Sequence, residues 1–312
     1  MSSFLGYDGF IWFIGKVEDV DDPLKLGRVK VRVNNVNTQD TTILPKEKLL
    51  WATPVQGINS AAIQIEDGDD KREVGRSPTG ILVNTHVVGF YADGKSAQHP
   101  LVMGTFAANP GYTQDDPTNN ELHEVNKLSR ADEDYEHPVI KKKNDARTKS
   151  VPTANGGTSW DEPESAYDAV YPKNHVTETE SGHIKEYDDS VGTERIHEYH
   201  RKGTFYEIDA AGNRSTRIVA NNFTVVAGTD YVNVQGDVNL TVDSNCRTYI
   251  KGNWNIQVDG NVVENIKGTM TQTVDGTVSE TYKNNQTTNI TGTLDLDAST
   301  EIDADAGVIN LN

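Results

Sequence analysis

Residues 226–242 read VAGTDYVNVQGDVNLTV and residues 250–268 read IKGNWNIQVDGNVVENIKG, one eight-residue phrase repeated with small variations. Glycine marks its register at Gly212, Gly228, Gly236, Gly252, Gly260, Gly268, Gly276 and Gly292, and none between Gly212 and Gly292 falls out of step. Ala220, Ser244 and Asn284 stand at the remaining register positions. Two residues before the register come Val226, Val234, Val242, Ile250, Val258, Ile266, Val274, Tyr282 and Ile290, all β-branched or aromatic. One residue after it, from Thr229 to Thr293, comes only Asn, Asp or Thr. With 26 glycines in 312 residues, chance would place fewer than one at the nine register positions from 228 to 292, and seven are there.

A fixed period decides the architecture before any local propensity does. Val and Ile favour extended backbone, and their alternation at i, i+2 is a strand signal. Gly followed by Asn or Asp suits a corner, where the backbone leaves the ordinary strand region. Each octad is therefore a short strand and a bend, too small to bury its own apolar face, so stacking must supply the core. Val238, Cys246, Trp254, Val262, Met270, Val278 and Leu294, two residues after the register, form a second inward set, with Asp230 and Gln286 as exceptions. Nonapeptide calcium rolls and hexapeptide β-helices have other periods. Eight residues are too few for one chain to close a three-sided coil. Three chains, each giving one octad per face, would close it and leave no lateral edge strand. Residues 212–312 thus predict one third of an intertwined triple-stranded β-helix. With ~4.8 Å per octad, about eleven octads make a rod of roughly 50 Å.

The rest of the chain suits this reading. Hydrophobic residues make up only 35%, lean for a single globular core. The formal charge of −18 repels nucleic acid and anionic lipid and keeps a long assembly soluble. A lone cysteine, Cys246, excludes an intrachain disulfide, and its octad phase reads as a small buried hydrophobe. MSSFLGYDGFIWFIG at the start has no basic n-region, so cytoplasmic synthesis without a signal peptide is expected.

Residues 1–107 read as an all-β domain. Strands are expected at Phe10–Val17, Gly27–Val33, Leu49–Val55, Ile81–Tyr91 and Leu101–Phe106, as in a small Greek-key barrel of the OB type. Arg28, Lys30 and Arg32 alternate with valines, which predicts one buried and one basic face. Lys and Arg number 11 here against 13 Asp and Glu, and no aromatics interleave the basic stripe, which argues against a nucleic-acid site.

The run Trp12-Phe13-Ile14-Gly15, then Asp22-Pro23-Leu24-Lys25-Leu26-Gly27-Arg28, and the closing His99-Pro100-Leu101-Val102-Met103-Gly104-Thr105 closely resemble the OB domain of the baseplate central spike of T-even-type contractile-tailed phages. The period-eight tail is that family's other hallmark, and type VI secretion spikes are more distantly similar. In T-even spikes a lysozyme domain lies between barrel and β-helix. Residues 108–180 offer about half the length it needs and read as a polar, punctuated linker, with one short helix at Glu121–Leu128. Within it Lys141–Lys143 reads as a solvated basic cluster. Glu162 and Glu164, the nearest thing to a glycosidase pair, flank Pro163 in a loop with no groove implied. Trp160–Pro163 and Tyr171-Pro172 read as anchors against a neighbouring subunit.

Residues 181–211 read as a meander leading into the octads, with turns at Asp188–Gly192, Arg201–Gly203 and Ala210–Asn213. His197 and His200 lie on opposite faces of a strand, which argues against joint chelation and leaves solvent or interface hydrogen bonding. No histidine follows His200, so the His-x-His metal tip of some phage spikes is absent, and the resemblance implies a separate PAAR-type tip protein beyond Asn312.

The expected protein is thus an all-β homotrimer without catalytic, cofactor or metal residues. Its barrel, whose family motif is Asp22, Pro23, Leu24, Leu26, Gly27 and Arg28, would trimerise and dock on the tail hub. Its rod would pierce the host outer membrane, and its place would be the virion. A glycan-degrading tail spike and a type VI secretion spike are the alternatives.

Overall fold

The computed structural model describes residues 10–60, 62–67, 70–106 and 138–308. The helix expected at Glu121–Leu128 lies outside them. The chain divides into two compact units, Met1–Ser244 and Asn245–Asn312.

The first unit opens with β1 (Trp12–Asp19), β2 (Val29–Val33) and β3 (Trp51–Pro54), a hairpin of β4 (Ala62–Asp67) and β5 (Asp70–Gly75), then β6 (His86–Tyr91) and β7 (Pro100–Phe106). Five of these close into a barrel in the order β1-β2-β3-β7-β6, with β6 returning to β1 and β3 running parallel to β7. The alternation in β1 buries Phe13, Gly15 and Val17. Phe13 and Val17 join Val29, Val31, Val33, Ala52, Val87, Tyr91 and Val102 in one core, where the Phe13 and Tyr91 rings stand 5.1 Å apart. Closure brings strands too near for some side chains. A Cβ on Gly89, at the β6–β7 register shift, would lie 2.1 Å from the Leu101 carbonyl oxygen and 2.6 Å from the Phe13 ring.

The second face of β2 corrects the sequence expectation, because all five of its residues are buried. The chain between Asn34 and Lys48 folds over the basic side and satisfies its donors. Lys30 Nζ donates to the carbonyls of Lys46 (3.2 Å) and Glu47 (2.9 Å) and sits 4.9 Å from the Trp51 ring centre. Arg32 makes a bidentate pair with Glu18 and donates to the carbonyls of Thr38 (2.6 Å) and Leu44 (2.8 Å). A buried cation survives only when its donors are matched, and here they are.

Beyond the barrel, α1 (Pro138–Asp145) precedes an antiparallel meander of β8 (Asn174–Glu178), β9 (Ile184–Asp188), β10 (Arg195–Tyr199), β11 (Phe205–Ile208) and β12 (Arg214–Arg217). Its turns contain Gly182, Gly192, Gly203 and Gly212, with φ of 86°, 84°, 106° and 82°, where a side chain would strain the backbone. The sheet begins at β8, inside the stretch that composition alone reads as linker. From Val219 onward the chain is extended and bends every eight residues, at each register position from Ala220 to Thr300.

Candidate functional site

Two features of the first unit and one running through both are candidates for function. The first is the inner face of the meander. In β9 the buried residues are Ile184, Glu186 and Asp188; in β10, Arg195, His197 and Tyr199; in β11, Phe205 and Glu207. Charged and apolar residues thus share one parity, and strand pairing sets His197 between Glu186 on one side and Glu207 on the other. Residues 165–170 and α1 cover this face. Ile140 is buried and Val139 packs on Ile184, Tyr199 and Phe205.

Glu186 receives Arg195 Nη2 (2.7 Å), His197 Nδ1 (3.1 Å) and Asn174 Nδ2 (2.8 Å). Glu207 receives Arg195 Nη1 (2.9 Å), Lys143 Nζ (2.8 Å), the Ser165 hydroxyl (2.9 Å) and the Ala166 N–H (3.2 Å). Lys143 Nζ also lies 4.1 Å from the Phe205 ring centre, and Arg195 lies 5.0 Å from that of Tyr167. Burial alone would raise Glu207, but the Lys143 ammonium, Arg195 and Ser165 outweigh it and hold the carboxyl at about 2. Burial pushes Lys143 down, and Glu207 opposes the shift. Burial likewise lowers His197 against the pull of Glu186, so the ring is neutral at pH 7 and donates from Nδ1. Asp188 accepts the Ser190 N–H (3.0 Å) and hydroxyl (2.6 Å), and Ser190 in turn accepts the Val170 N–H at 2.8 Å.

Lys143 is therefore buried rather than solvated, and only Lys141 and Lys142 of its cluster are exposed. His197 is fully buried while His200 is exposed, its ring tilted against that of His183 with the centres 4.5 Å apart. The two do lie on opposite faces, but His197 is tied to a carboxylate instead of solvent. Glu162 pairs with Arg217 (3.0 Å) and Glu164 with Arg147 (2.8 Å), so both are structural ion pairs. Trp160 bridges to Val151 of its own chain through backbone bonds of 2.8 and 3.1 Å.

The second feature is the loop Asp22-Pro23-Leu24-Lys25-Leu26-Gly27-Arg28. The Asp22 carboxylate accepts the backbone N–H groups of Leu24 (3.0 Å), Leu26 (2.9 Å) and Arg28 (3.2 Å), and the Arg28 guanidinium at 2.6 Å. The Arg28 hydrogen bond, aided by those N–H groups and opposed by burial, holds Asp22 far below the usual carboxylate range. Gly27 has φ of 73°, and a Cβ there would meet Pro78 at 2.7 Å. One carboxylate thus fixes the loop and leaves Leu24 and Leu26 exposed at its surface.

The third is the repeat. Val226, Val234, Val242, Ile250, Val258, Ile266, Val274 and Ile290 are uniformly 43–52% exposed on the single chain. The set two residues after the register, from Val238 to Leu294, is 58–73% exposed, and Cys246 is exposed with it. At Gly228, Gly236, Gly252, Gly260, Gly268, Gly276 and Gly292 an added Cβ would meet nothing within 4 Å, and none of the seven has the positive φ of Gly212. The expectation that these glycines supply unusual corner dihedrals is corrected. Neither their own backbone nor their own chain explains them.

Among the described residues, no three His, Cys, Asp or Glu side chains gather as metal ligands, and no helix is long and apolar enough to cross a membrane.

A family model described as Gp5 N-terminal OB domain matches residues 32–175, from β2 through β7 and on to the first residues of β8. Protein Gp5 of Vibrio phage KVP40 is 35% identical over 291 aligned residues, covering 79% of this chain and 66% of that protein. The chain is similar to the Gp5 family of phage baseplate central spike proteins. Within that family, the pre-baseplate central spike protein Gp5 of Enterobacteria phage T4 is 40% identical over 100 residues, 30% of this chain and 16% of that protein. The chain therefore spans just under two thirds of the KVP40 relative and about a sixth of the T4 one. The Asp22 loop precedes the stretch that the family model matches.

The meander cluster carried a sequence signal that a strand reading overlooks. IKEYD and FYEI each place a carboxylate two residues from an apolar core residue, RIHEY sets Arg195 and His197 on the parity of Tyr199, and acidic and basic members alternate between neighbouring strands.

Proposed function

We propose that three copies of this chain intertwine through the octads into a triple-stranded β-helix, and that this rod is the piercing element of a contractile tail. One observation supports the reading above the others: a column of regularly spaced apolar side chains lies half-exposed on the single chain, beside glycines whose vacant Cβ positions nothing in that chain fills. Glycine at seven of nine corners has a physical cause if another backbone passes there in the assembly. Covering the second half of each Val or Ile stabilises by about 1 kcal/mol, so eight such residues contribute roughly 8 kcal/mol per chain before the second apolar set is counted. In the assembly Cys246 belongs to that set and is covered too.

The barrel supplies the direction. The preorganised Asp22–Arg28 loop, with Leu24 and Leu26 outward, suits docking to a tail hub, and the rod then points toward the host outer membrane. A small tip protein of the PAAR kind is a further partner of the rod. The mechanism is mechanical: interchain strand bonds resist shear together, and Asn, Asp and Thr outside keep the surface wet. Nucleic acid has no place in it, since the basic side of β2 is consumed internally. The role is non-enzymatic, and any lysis of peptidoglycan comes from partners.

The test is the native mass of the full chain by sedimentation or mass photometry. A trimer that persists at nanomolar concentration is expected; a monomer would sink the proposal. Clearing of a peptidoglycan zymogram would overturn the non-enzymatic assignment and favour a lytic spike.

A further inference from the structure

The outward side of the octads carries an order of its own. Immediately before the register stand Asp243, Lys251, Asp259, Lys267, Asp275 and Lys283, six charges in unbroken alternation. Lysine occurs nowhere else after Lys202, so Lys251, Lys267 and Lys283 recur every second octad, with an aspartate in the octads between. Another outward position, three residues after the register, reads Arg247, Asn255, Val263, Thr271 and Ser279 and shows no such order. Charged residues are 24% of the chain, so six in succession at one phase are not a product of composition.

All six are exposed, and each lies in a bend, next to a member of the apolar column that turns to the opposite side. Among the described residues none of them has an ion-pair partner; Asp259 accepts only the Gln257 side-chain amide, at 2.9 Å. Their own chain cannot supply one. Successive members are one octad of extended chain apart, about 26 Å at 3.3 Å per residue.

A threefold assembly brings them together. One octad carries a chain around the prism by one face and up by one strand spacing. The threefold axis carries it to another copy by one face with no rise. The two operations differ by a pure rise of ~4.8 Å, so each octad lies directly beneath the following octad of another copy, parallel and in register. Equivalent positions therefore stack along an edge of the prism. The residue before the register then runs Asp243, Lys251, Asp259, Lys267, Asp275, Lys283, each from a different copy than the last, and every neighbouring pair is opposite in charge.

We infer, on the trimeric reading of the repeats, that this alternating column sets the register of the three chains. Glycine, the apolar column and the Asn, Asp or Thr after the register are nearly alike in every octad, so they accept a chain displaced by one octad almost as readily. The charges do not. Such a slip puts Lys267 where Asp259 belongs, between Lys251 of one copy and Lys267 of the other, and repeats the fault along the column. Displacement by two octads restores the alternation but leaves two octads of that chain uncovered. Exposed ion pairs add little stability, whereas like charges side by side reject the wrong alignment, so the column discriminates more than it stabilises.

Cysteines in the full chain, with Cys246→Ser as background, read the register. In the aligned trimer, Asn253 of one copy stands ~4.8 Å from Asn261 of another, within disulfide reach. After refolding and mild oxidation, Asn253→Cys combined with Asn261→Cys is expected to give a covalent trimer on a denaturing gel without reductant, and Asn253→Cys alone a monomer. Asp259→Lys with Lys267→Asp keeps the composition but sets like charges together. At low salt it should lower the covalent trimer about fivefold and produce dimer from Asn253→Cys alone, and both effects should vanish in about 1 M salt, where charges are screened beyond ~3 Å. Reversing all six charges keeps the alternation and should behave as the parent. An exchanged variant that refolds like the parent, a defect that salt does not relieve, or failure of the fully reversed variant would overturn this inference and leave the trimeric octads standing. A monomeric native mass with no cross-link from the cysteine pair would overturn both.

Discussion

Substituting Glu207→Gln removes the charge that two buried cations share. Glu207 lies almost wholly inside, with Lys143 Nζ at 2.8 Å and Arg195 Nη1 at 2.9 Å. Glutamine keeps the volume and can still accept from Ser165, so the variant isolates the charge. The carboxyl lies at about 2 instead of 4.5 in the folded chain. That difference corresponds to about 3 kcal/mol of stabilisation at pH 7, at 1.36 kcal/mol per pKa unit. Breaking one partner of a buried ion pair costs a similar amount, on the order of 3–5 kcal/mol. A carboxyl depressed on folding stabilises fully above 4.5 and loses that contribution as pH falls from 4.5 toward 2. Protection of the β10 and β11 amides in hydrogen exchange should therefore drop about 100-fold in Glu207→Gln at pH 7, and the gap from the parent should narrow at pH 3. Lys143→Met added to Glu207→Gln should recover part of the loss, since it removes the stranded cation. A variant within threefold of the parent at pH 7, or a gap that does not change with pH, would refute the charge argument.

His197→Gln should flatten a second, milder acid response. Burial holds the imidazole below its usual value, so its neutral form stabilises fully above about 6.5 and the contribution fades as pH falls below that, which parallel melts at pH 7 and pH 5 would show. Asp22→Asn should speed exchange of the Leu24, Leu26 and Arg28 amides without altering Val31 in the barrel core, because the three N–H groups converge on one carboxylate; equal effects at both places would mean that the loop does not fold as a local unit. Gly252→Val has open space in its own chain, so only an assembled β-helix should resent it, and a fall in trimer melting temperature of several degrees is expected, with no change at all counting against the interchain reading.

Features written in local chemistry were legible along the chain. The octad bends occur at the register positions, since each is set by residues two before and one after it. The five barrel strands emerge near their expected places, because alternation within a few residues reports one buried face. The meander turns were legible for the same reason, as Gly192, Gly203 and Gly212 close short loops at positive φ. The fate of the charges, by contrast, was settled only on folding. Lys143 reads as one of three surface lysines until Glu207, 64 residues later, is brought beneath it, and Arg32 reads as solvent-facing until the carbonyls of Thr38 and Leu44 fold across. Burial of a charge depends on partners that only folding assembles, and no window along the chain contains them. The same limit applies to the glycines of the repeat. Their period is written in the sequence, but the space around each Cβ position is open in the single chain, so the chain's own packing gives no reason for glycine there, and the proposed assembly is what would supply one.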